Sequence, residues 1–244
     1  MAYVVNWREM EPQVRHMSAV VWGGLRARGE DADKRETPDS NLHRLENIKG
    51  FARHALQGRK TSDHHNHDCT EQVYYILSGS GEVLNDDERH VTHAGDAVYL
   101  PSGEYHQMFN EEEPWLEHHV ISASVESDGG TFAIRNWKDV SPTGDGAGAV
   151  RWHQLGRADE DGTGYLRSFH FIDREAVQPG GKSIERVYEE VEQVYYILEN
   201  RGTMVVDGKE YQVTEGDNVH ISSGQRYEVQ NSHDEWLTYL VVGA

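Results

Sequence analysis

Cysteine is almost missing from this chain of 244 residues, in which Cys69 is the single example. One cysteine cannot form a disulfide within the chain, so the fold needs no oxidising compartment. Long hydrophobic runs are missing too, because no segment approaches the roughly 18 apolar residues of a membrane-spanning helix. The N-terminus also lacks a basic stretch followed by an apolar one. These absences predict a soluble, cytoplasmic protein.

Positive charge is scarce as well. The chain has 23 lysines and arginines against 42 acidic residues, which gives a net charge of -19. The acidic residues are spread along the sequence, and no basic cluster interrupts them. Such a surface argues against binding to nucleic acid or to an anionic membrane. We therefore expect the partner to be a small-molecule substrate.

The strand pattern is clearer than any helix pattern. Short β-branched and aromatic runs, separated by Gly, Asn and Asp, occupy residues 72–77, 81–84, 97–100, 106–109 and 115–122. Runs of this length and spacing predict an all-β antiparallel sandwich or barrel. Two stretches interrupt the pattern. Residues 28–41 predict an exposed charged loop, and the glycine-rich residues 126–148 predict a linker.

The second half of the chain repeats the first. The heptapeptide Glu-Gln-Val-Tyr-Tyr-Ile-Leu at residues 71–77 recurs at residues 192–198, and several glycines, one asparagine and a Trp-Leu pair recur at the same shift. A repeat of this length predicts two similar barrels in tandem. We place the first domain at residues 1–140 and the second at residues 141–244.

Histidines in the first half form a candidate metal site. His65 and His67 are one residue apart, so in an extended strand they leave the same face. A later block with a tight turn brings a third histidine onto another strand. Its fixed residues are Gly95, Pro101, Gly103, His106 and Asn110. Three imidazoles from two strands are a ligand set for a divalent transition metal, such as Zn, Fe, Ni, Mn or Co.

These two motifs resemble the paired motifs of the cupin superfamily, and the repeat resembles its two-barrel members, the bicupins. The resemblance implies two double-stranded β-helix (jelly-roll) barrels, with one metal per chain held by His65, His67, Gln72 and His106. Most metal cupins have glutamate where this chain has Gln72. Glu71 precedes it, and a shifted strand would make Glu71 the fourth ligand instead.

The second barrel lacks these histidines. The repeat places Arg186 and Tyr188 where the first half has His65 and His67, and it places Tyr227 where the first half has its third histidine. A guanidinium cannot lose its proton to bind a cation, so we expect no metal there. A structural barrel is our preferred interpretation, and a small anion pocket is the alternative.

Four further residues are candidates for the reaction: Tyr74 as a catalytic residue, and Met108, Arg53 and Tyr105 as substrate-binding residues. Tyr74 and Met108 share strand parity with the ligands and should point into the same interior, where Tyr74 could donate a proton. Arg53 and Tyr105 are candidates for binding a substrate carboxylate. Barrels of this kind pair through edge strands, so a homodimer is expected.

Three functions are compatible with this site. The first is non-redox lyase, isomerase or ring-opening chemistry on a small sugar acid or other carboxylate, because the ligand pattern is similar to that of cupins that linearise unsaturated uronates. The second is the chemistry of a non-heme iron or nickel dioxygenase of the bicupin type. The third is non-catalytic binding of a small molecule.

Overall fold

The computed structural model describes residues 1–28, 42–158 and 164–244. In these ranges the chain is almost entirely β-structure, and the helical elements are 3-10 turns at Trp7–Glu9 and Trp137–Asp139. The all-β prediction is therefore confirmed. The charged loop predicted at residues 28–41 lies, apart from Arg28, outside the described residues. No helix in the described ranges is long and apolar enough to cross a membrane.

Each half of the chain contributes twelve described strands. The first half forms β1 (Tyr3–Asn6), β2 (Pro12–Arg15), β3 (Ala19–Ala27), β4 (His43–Leu45), β5 (Ile48–Leu56), β6 (Lys60–Thr61), β7 (Thr70–Ser78), β8 (Ser80–Asn85), β9 (Glu88–His93), β10 (Asp96–Leu100), β11 (His106–Asn110) and β12 (Leu116–Ser124). The second half forms β13 (Ala133–Asn136), β14 (Thr143–Gly144), β15 (Ala149–Arg157), β16 (Gly164–Leu166), β17 (Phe171–Val177), β18 (Arg186–Val187), β19 (Gln193–Glu199), β20 (Arg201–Val206), β21 (Lys209–Thr214), β22 (Asp217–Ile221), β23 (Arg226–Gln230) and β24 (Leu237–Gly243).

Two sheets form each barrel. In the first barrel the large sheet has the order β13-β10-β7-β12-β5-β3-β2, and the small sheet has the order β6-β11-β8-β9. The second barrel repeats this arrangement as β1-β22-β19-β24-β17-β15-β14 and β18-β23-β20-β21. In the first barrel Val83 and Met108 of the small sheet pack against Ile76 and Leu116 of the large sheet. The two layers therefore enclose one apolar interior per barrel.

The two halves exchange their first strands. Strand β1 pairs with β22 of the second barrel, and β13 pairs with β10 of the first. Asparagines fix both exchanges in the same way: Asn6 Nδ2 donates to Asp217 Oδ1, and Asn136 Nδ2 donates to Asp96 Oδ1, each at 2.7 Å. The linker predicted at residues 126–148 is thus wrong in part, because it contains β13 and β14. The domain limits at residues 140 and 141 stay a prediction based on chain order. Strands β1 and β13 each belong to one predicted domain by sequence but pair with a strand of the other.

The repeated heptapeptide is buried on both faces. Tyr74 and Ile76 point into the first barrel, whereas Val73 and Tyr75 belong to a core shared with the second barrel. All four side chains are buried. A strand covered on both faces needs a continuous apolar run rather than an alternating one, and this explains why the run is uninterrupted.

The glutamate that begins each heptapeptide joins the barrels. Glu71 is fully buried, and its carboxylate accepts the backbone N–H groups of Arg167, Ser168 and Phe169 at 3.0, 2.7 and 2.9 Å. Glu192 does the same for the backbone of residues 46–48 in the first half. Buried carboxylates with this many donors are structural anchors. The acidic residue therefore recurs for a reason unrelated to metal binding.

Candidate metal centre

A single bridge between two segments brings the predicted ligands together. The regular strand expected around His65 and His67 is absent, because residues 62–69 form an irregular connection between β6 and β7. His65 instead pairs with His106, the first residue of β11, through reciprocal backbone hydrogen bonds of 3.2 and 2.8 Å. Gly103, with φ 86°, donates its N–H to the carbonyl of His67 at 3.0 Å. The turn motif thus anchors both histidine segments.

The three imidazoles face one another. The Nε2 atoms of His65 and His67 are 3.1 Å apart, and the ring centroid of His106 lies 4.6 Å from that of His65. One ligand atom from each ring can be chosen so that all three lie within 4.8 Å of one another. Nitrogens bound to one transition metal at about 2.1 Å are separated by roughly 3 to 4 Å, so the spacing is compatible with a shared ion.

Backbone carbonyls orient two of these rings. His65 Nδ1 lies 3.1 Å from the carbonyl oxygen of Asp63, and His106 Nδ1 lies 3.3 Å from that of Glu104. A ring that uses Nδ1–H in this way presents an unprotonated Nε2 to the interior. The chain itself therefore selects the tautomer that a metal requires.

Burial favours the neutral form of two of these rings, His106 and His67. Burial, followed by the charge of His65, lowers the pKa of His106 to about 3. The same two causes, in the same order, lower the pKa of His67. A neutral imidazole is the form that binds a metal, so at neutral pH these two ligands need not lose a proton first.

Two buried polar atoms at this site have no hydrogen-bond partner, namely Nε2 of His106 and Oε1 of Gln72. An unsatisfied buried polar atom costs about 1 to 3 kcal/mol, so native structures rarely keep one without a reason. A cation would satisfy both atoms, and together with His65 and His67 they form a set of four neutral ligands. The residues present therefore fit a divalent transition metal, with Gln72 rather than Glu71 supplying the oxygen.

In the second barrel, side chains that bond to one another occupy the corresponding positions. Gln193, the counterpart of Gln72, accepts hydrogen bonds through Oε1 from the hydroxyls of Tyr227 at 2.6 Å and Tyr195 at 3.2 Å. Arg186 donates from Nη1 to both carboxylate oxygens of Glu175 at 2.8 Å. In the described residues, the groups of His, Cys, Asp and Glu suited to a metal all lie in the first half. Side chains in the second barrel thus satisfy one another.

A cavity of about 410 Å³ opens onto two of the three imidazoles, His65 and His67, and we call it the main cavity. Its lining includes His65, His67, Gln72, Tyr74 and Met108. The structure thus brings the two predicted interior residues, Tyr74 and Met108, into contact with the same space as the ligands.

Comparison with known proteins identifies the family. The cupin domain model matches residues 53–124 and residues 173–243, which together make up more than half of the chain. The protein belongs to the cupin family. Because the domain occurs twice, it is a bicupin, and the predicted family is confirmed.

The similar proteins are distant. A protein of Methanocaldococcus jannaschii, MJ1618, is 34% identical over 58 residues, which are 23% of this chain and 46% of that protein. The match therefore spans less than half of the relative's length. Among solved structures, the nickel(II) complex of the pirin YhhW from Escherichia coli is 16% identical with a TM-score of 0.74, and covers 100% of this chain and 98% of that one.

Two further structures support the same fold. A structure described as the putative glyoxylate-induced protein from Pseudomonas aeruginosa has a TM-score of 0.78 at 15% identity. The match covers 99% of this chain and 88% of that one. Oxalate decarboxylase from Bacillus subtilis has a TM-score of 0.72 at 14% identity, with 98% and 76% covered. At these identities the likeness shows the fold alone.

Three histidines of the main cavity were missed by the sequence reasoning: His16, His54 and His118. Their rings form a row, in which the centroids of neighbouring rings lie 5.5 Å apart. Burial is the main reason why the pKa of His54 is lowered and why the pKa of His118 falls to about 4. Both side chains are therefore neutral at pH 7. They lie on the β2–β3 turn, β5 and β12, and no sequence motif connects them.

A second cavity, of about 260 Å³, adjoins the main cavity at two of the predicted ligands. It shares His67 and Gln72 with the main cavity, and its other lining residues include Arg26, Lys49 and Gly50. The two cavities therefore meet at His67 and Gln72.

Two predicted substrate-binding residues line neither cavity. Arg53 donates to the Tyr196 hydroxyl at 2.7 Å and to Glu117 Oε2 at 2.6 Å, so its charge is used where the barrels meet. Tyr105 is 49% exposed, and its ring lies 5.0 Å from that of His64. We therefore withdraw both as carboxylate ligands.

Proposed function

We propose that this bicupin is a metal-dependent enzyme that performs non-redox lyase, isomerase or ring-opening chemistry on a small sugar acid or other carboxylate. The observation that carries the proposal is the neutral ligand set. Glu71 is committed to backbone N–H groups, whereas the amide oxygen of Gln72 is buried beside the imidazoles without a partner. A divalent ion held only by neutral ligands keeps its full charge and acts as a strong Lewis acid towards a carbonyl or hydroxyl group.

Tyr74 is the proton donor in this proposal. It is buried in the main cavity, and burial raises its pKa above the usual value, so the phenol keeps its proton at neutral pH. Its ring centroid lies 6.1 Å from that of His106 and 5.2 Å from that of His118. His118 is neutral and can accept a proton. A donor and an acceptor thus stand beside the same space, as proton transfer on a bound substrate requires.

Turnover measurements test the proposal. Protein reconstituted separately with zinc, manganese, nickel and iron(II) is assayed against a panel of sugar acids and hydroxy acids, together with metal-free protein and the His67→Ala variant. We expect turnover of at least one acid only in the metal-loaded protein, with no oxygen consumed. If metal-loaded and metal-free protein both leave the whole panel unchanged, the proposal fails.

A dioxygenase is the second candidate. The main cavity also has apolar lining from Leu56, Met108 and Val120, which would suit an aromatic ring better than a sugar. Oxygen uptake by the iron(II) or nickel(II) protein with catechol-like or diketone substrates would favour this function. Absence of uptake across such substrates would count against it.

A further inference from the structure

Six ring side chains at the main cavity form a closed circuit. The centroids of neighbouring rings lie between 4.6 and 6.1 Å apart, in the order His65, His106, Tyr74, His118, His54 and His16, which returns to His65. All of them except His106 line the main cavity. In this order, one ring on each side separates His54 and His118 from the two metal ligands. The two imidazoles therefore stand opposite the metal ligands in the circuit, and we call them the imidazole pair.

Two neighbouring strands hold the imidazole pair. His54 on β5 and His118 on β12 are direct partners in the antiparallel register. Both side chains are buried, with 8% and 4% of their surface exposed. Within the described ranges, no other side chain forms a hydrogen bond with either imidazole. Buried polar groups are normally hydrogen-bonded, so a pair that borders a cavity in this way is available to a ligand.

The second barrel provides an internal control. At the repeat shift, Glu175 and Tyr239 replace His54 and His118, and they are direct partners in the equivalent register. Both are fully buried, and the Tyr239 hydroxyl donates to Glu175 Oε2 at 2.9 Å. The pair of the second barrel thus satisfies itself, which the imidazole pair does not do.

The replacement in the second barrel extends to the metal ligands. Arg186, the counterpart of His65, donates from Nη1 to both carboxylate oxygens of Glu175 at 2.8 Å. The counterparts of His65 and His54 are thus in direct contact, so the two positions face the same space. The barrel that lacks the metal ligands has also lost the imidazole pair. Joint loss indicates that the pair and the metal serve one ligand.

The chemistry of the imidazole pair suits hydroxyl groups. Burial lowers the pKa of both rings, so each is neutral and offers one N–H donor and one acceptor nitrogen. A hydroxyl group also donates and accepts hydrogen bonds, so it matches a neutral imidazole in either tautomer. A carboxylate only accepts, and it would find no positive charge on the pair. The part of the ligand that reaches these rings is therefore neutral and hydroxylated.

We propose that His54 and His118 bind hydroxyl groups of the substrate, which makes the substrate a polyhydroxylated acid of the sugar-acid type rather than an aromatic acid. The inference rests on the proposed function for the reaction at the metal, and it names the substrate class within that function. Neighbouring carbon atoms of a sugar acid carry hydroxyl groups, so one part of the molecule can bind the metal while another bonds to the imidazole pair. Tyr74 lies between the two in the circuit, beside a substrate that is held at both ends.

Calorimetric binding of acids with and without hydroxyl groups tests the inference. The pairs are gluconate with hexanoate and galacturonate with cyclohexanecarboxylate, each titrated into zinc-loaded and metal-free protein. We expect at least one hydroxylated acid to bind the zinc-loaded protein more tightly than its counterpart. His54→Phe and His118→Phe should each weaken that binding about 2- to 12-fold, the range for one hydrogen bond between neutral groups. Neither variant should weaken binding of the counterpart acid.

Two further variants separate hydrogen bonding from packing. His118→Gln keeps a donor and an acceptor and should retain more of the binding than His118→Phe. His119→Phe changes the next residue of β12, whose buried imidazole lines neither cavity, and should leave binding unchanged. Zinc content and melting temperature of every variant show whether the metal site and the fold persist.

Four results would overturn the inference. They are equal binding of every hydroxylated acid and its counterpart, a preference that survives in the double variant His54→Phe/His118→Phe, weakening by His119→Phe as large as by His118→Phe, and loss of zinc in His118→Phe. The last result would assign the pair to the metal instead of the substrate. Because binding needs no turnover, a hydroxyl preference without turnover contradicts only the proposed reaction, and turnover without the preference contradicts only this inference.

Discussion

Replacing Glu71 with glutamine separates its structural role from a ligand role. One carboxylate oxygen accepts the N–H groups of Ser168 and Phe169, and the other accepts that of Arg167. An amide can keep the first pair but turns an NH₂ group towards Arg167 N–H, and its remaining hydrogen bonds lose their charge assistance. We expect Glu71→Gln to lower the free energy of unfolding by about 3 kcal/mol.

Thermal and urea unfolding measure this loss. For a chain of this length, about 3 kcal/mol corresponds to a fall in Tm of roughly 6 to 12 °C. Metal content per chain should not change. Glu192→Gln is the companion variant, because Glu192 accepts backbone N–H groups from the other half, and it should destabilise at least as much, since Glu192 Oε1 also lies 2.7 Å from Nε2 of buried His220. If Glu71→Gln removed the metal and left stability intact, Glu71 would be the ligand and the assignment of Gln72 would be wrong.

Three further predictions concern two residues of the main cavity, Tyr74 and His118, and one residue outside it, Tyr105. Tyr74→Phe should lower kcat about 100- to 10,000-fold while the metal content stays constant, because it removes the proposed proton donor; steady-state kinetics with metal analysis measure both. Metal-free protein should lose stability as the pH falls from about 6.5 towards 4. Below pH 6.5 His118 becomes protonated in the unfolded chain, whereas burial keeps it neutral in the folded protein down to its pKa of about 4. This difference lowers the free energy of unfolding by at most about 3 kcal/mol. Urea unfolding measures the loss, and the variant His118→Phe should show a weaker dependence of stability on pH. Tyr105→Ala should leave KM unchanged, since Tyr105 lines neither cavity.

The repeat and the histidine motifs could be predicted from sequence because each is a local pattern. Seven identical residues recur in the two halves, and the turn motif fixes the position of His106 relative to its strand. The exchange of β1 and β13 could not be predicted. Both barrels present equivalent edge strands, so nothing in a single strand indicates which sheet it joins.

The remaining site residues depend on tertiary contacts. Glu71 and Gln72 are adjacent and polar, and only the fold shows that one faces the other barrel while its neighbour faces the imidazoles. His54 and His118 lie on different strands, β5 and β12, among ordinary strand residues. Their meeting within one barrel follows from sheet register, which no motif encodes.

The same limit explains the failure of Arg53 as a substrate ligand. On β5 it alternates with His54, and one residue of difference in a strand reverses the direction of the side chain. His54 therefore lines the main cavity, whereas Arg53 contacts Tyr196 of the other half. The positive charge of Arg53 suggested that it binds a substrate carboxylate. The direction of its side chain on β5 instead places it against Tyr196.

Metal analysis of the purified protein by inductively coupled plasma mass spectrometry tests the central claim most directly. Wild type, His67→Ala and Gln72→Ala are compared after reconstitution and dialysis. We predict one transition metal per chain in the wild type, loss of that metal in His67→Ala, and affinity at least about tenfold weaker in Gln72→Ala. Two metals per chain, no metal after reconstitution, or full occupancy in His67→Ala would contradict a single metal centre in the first barrel.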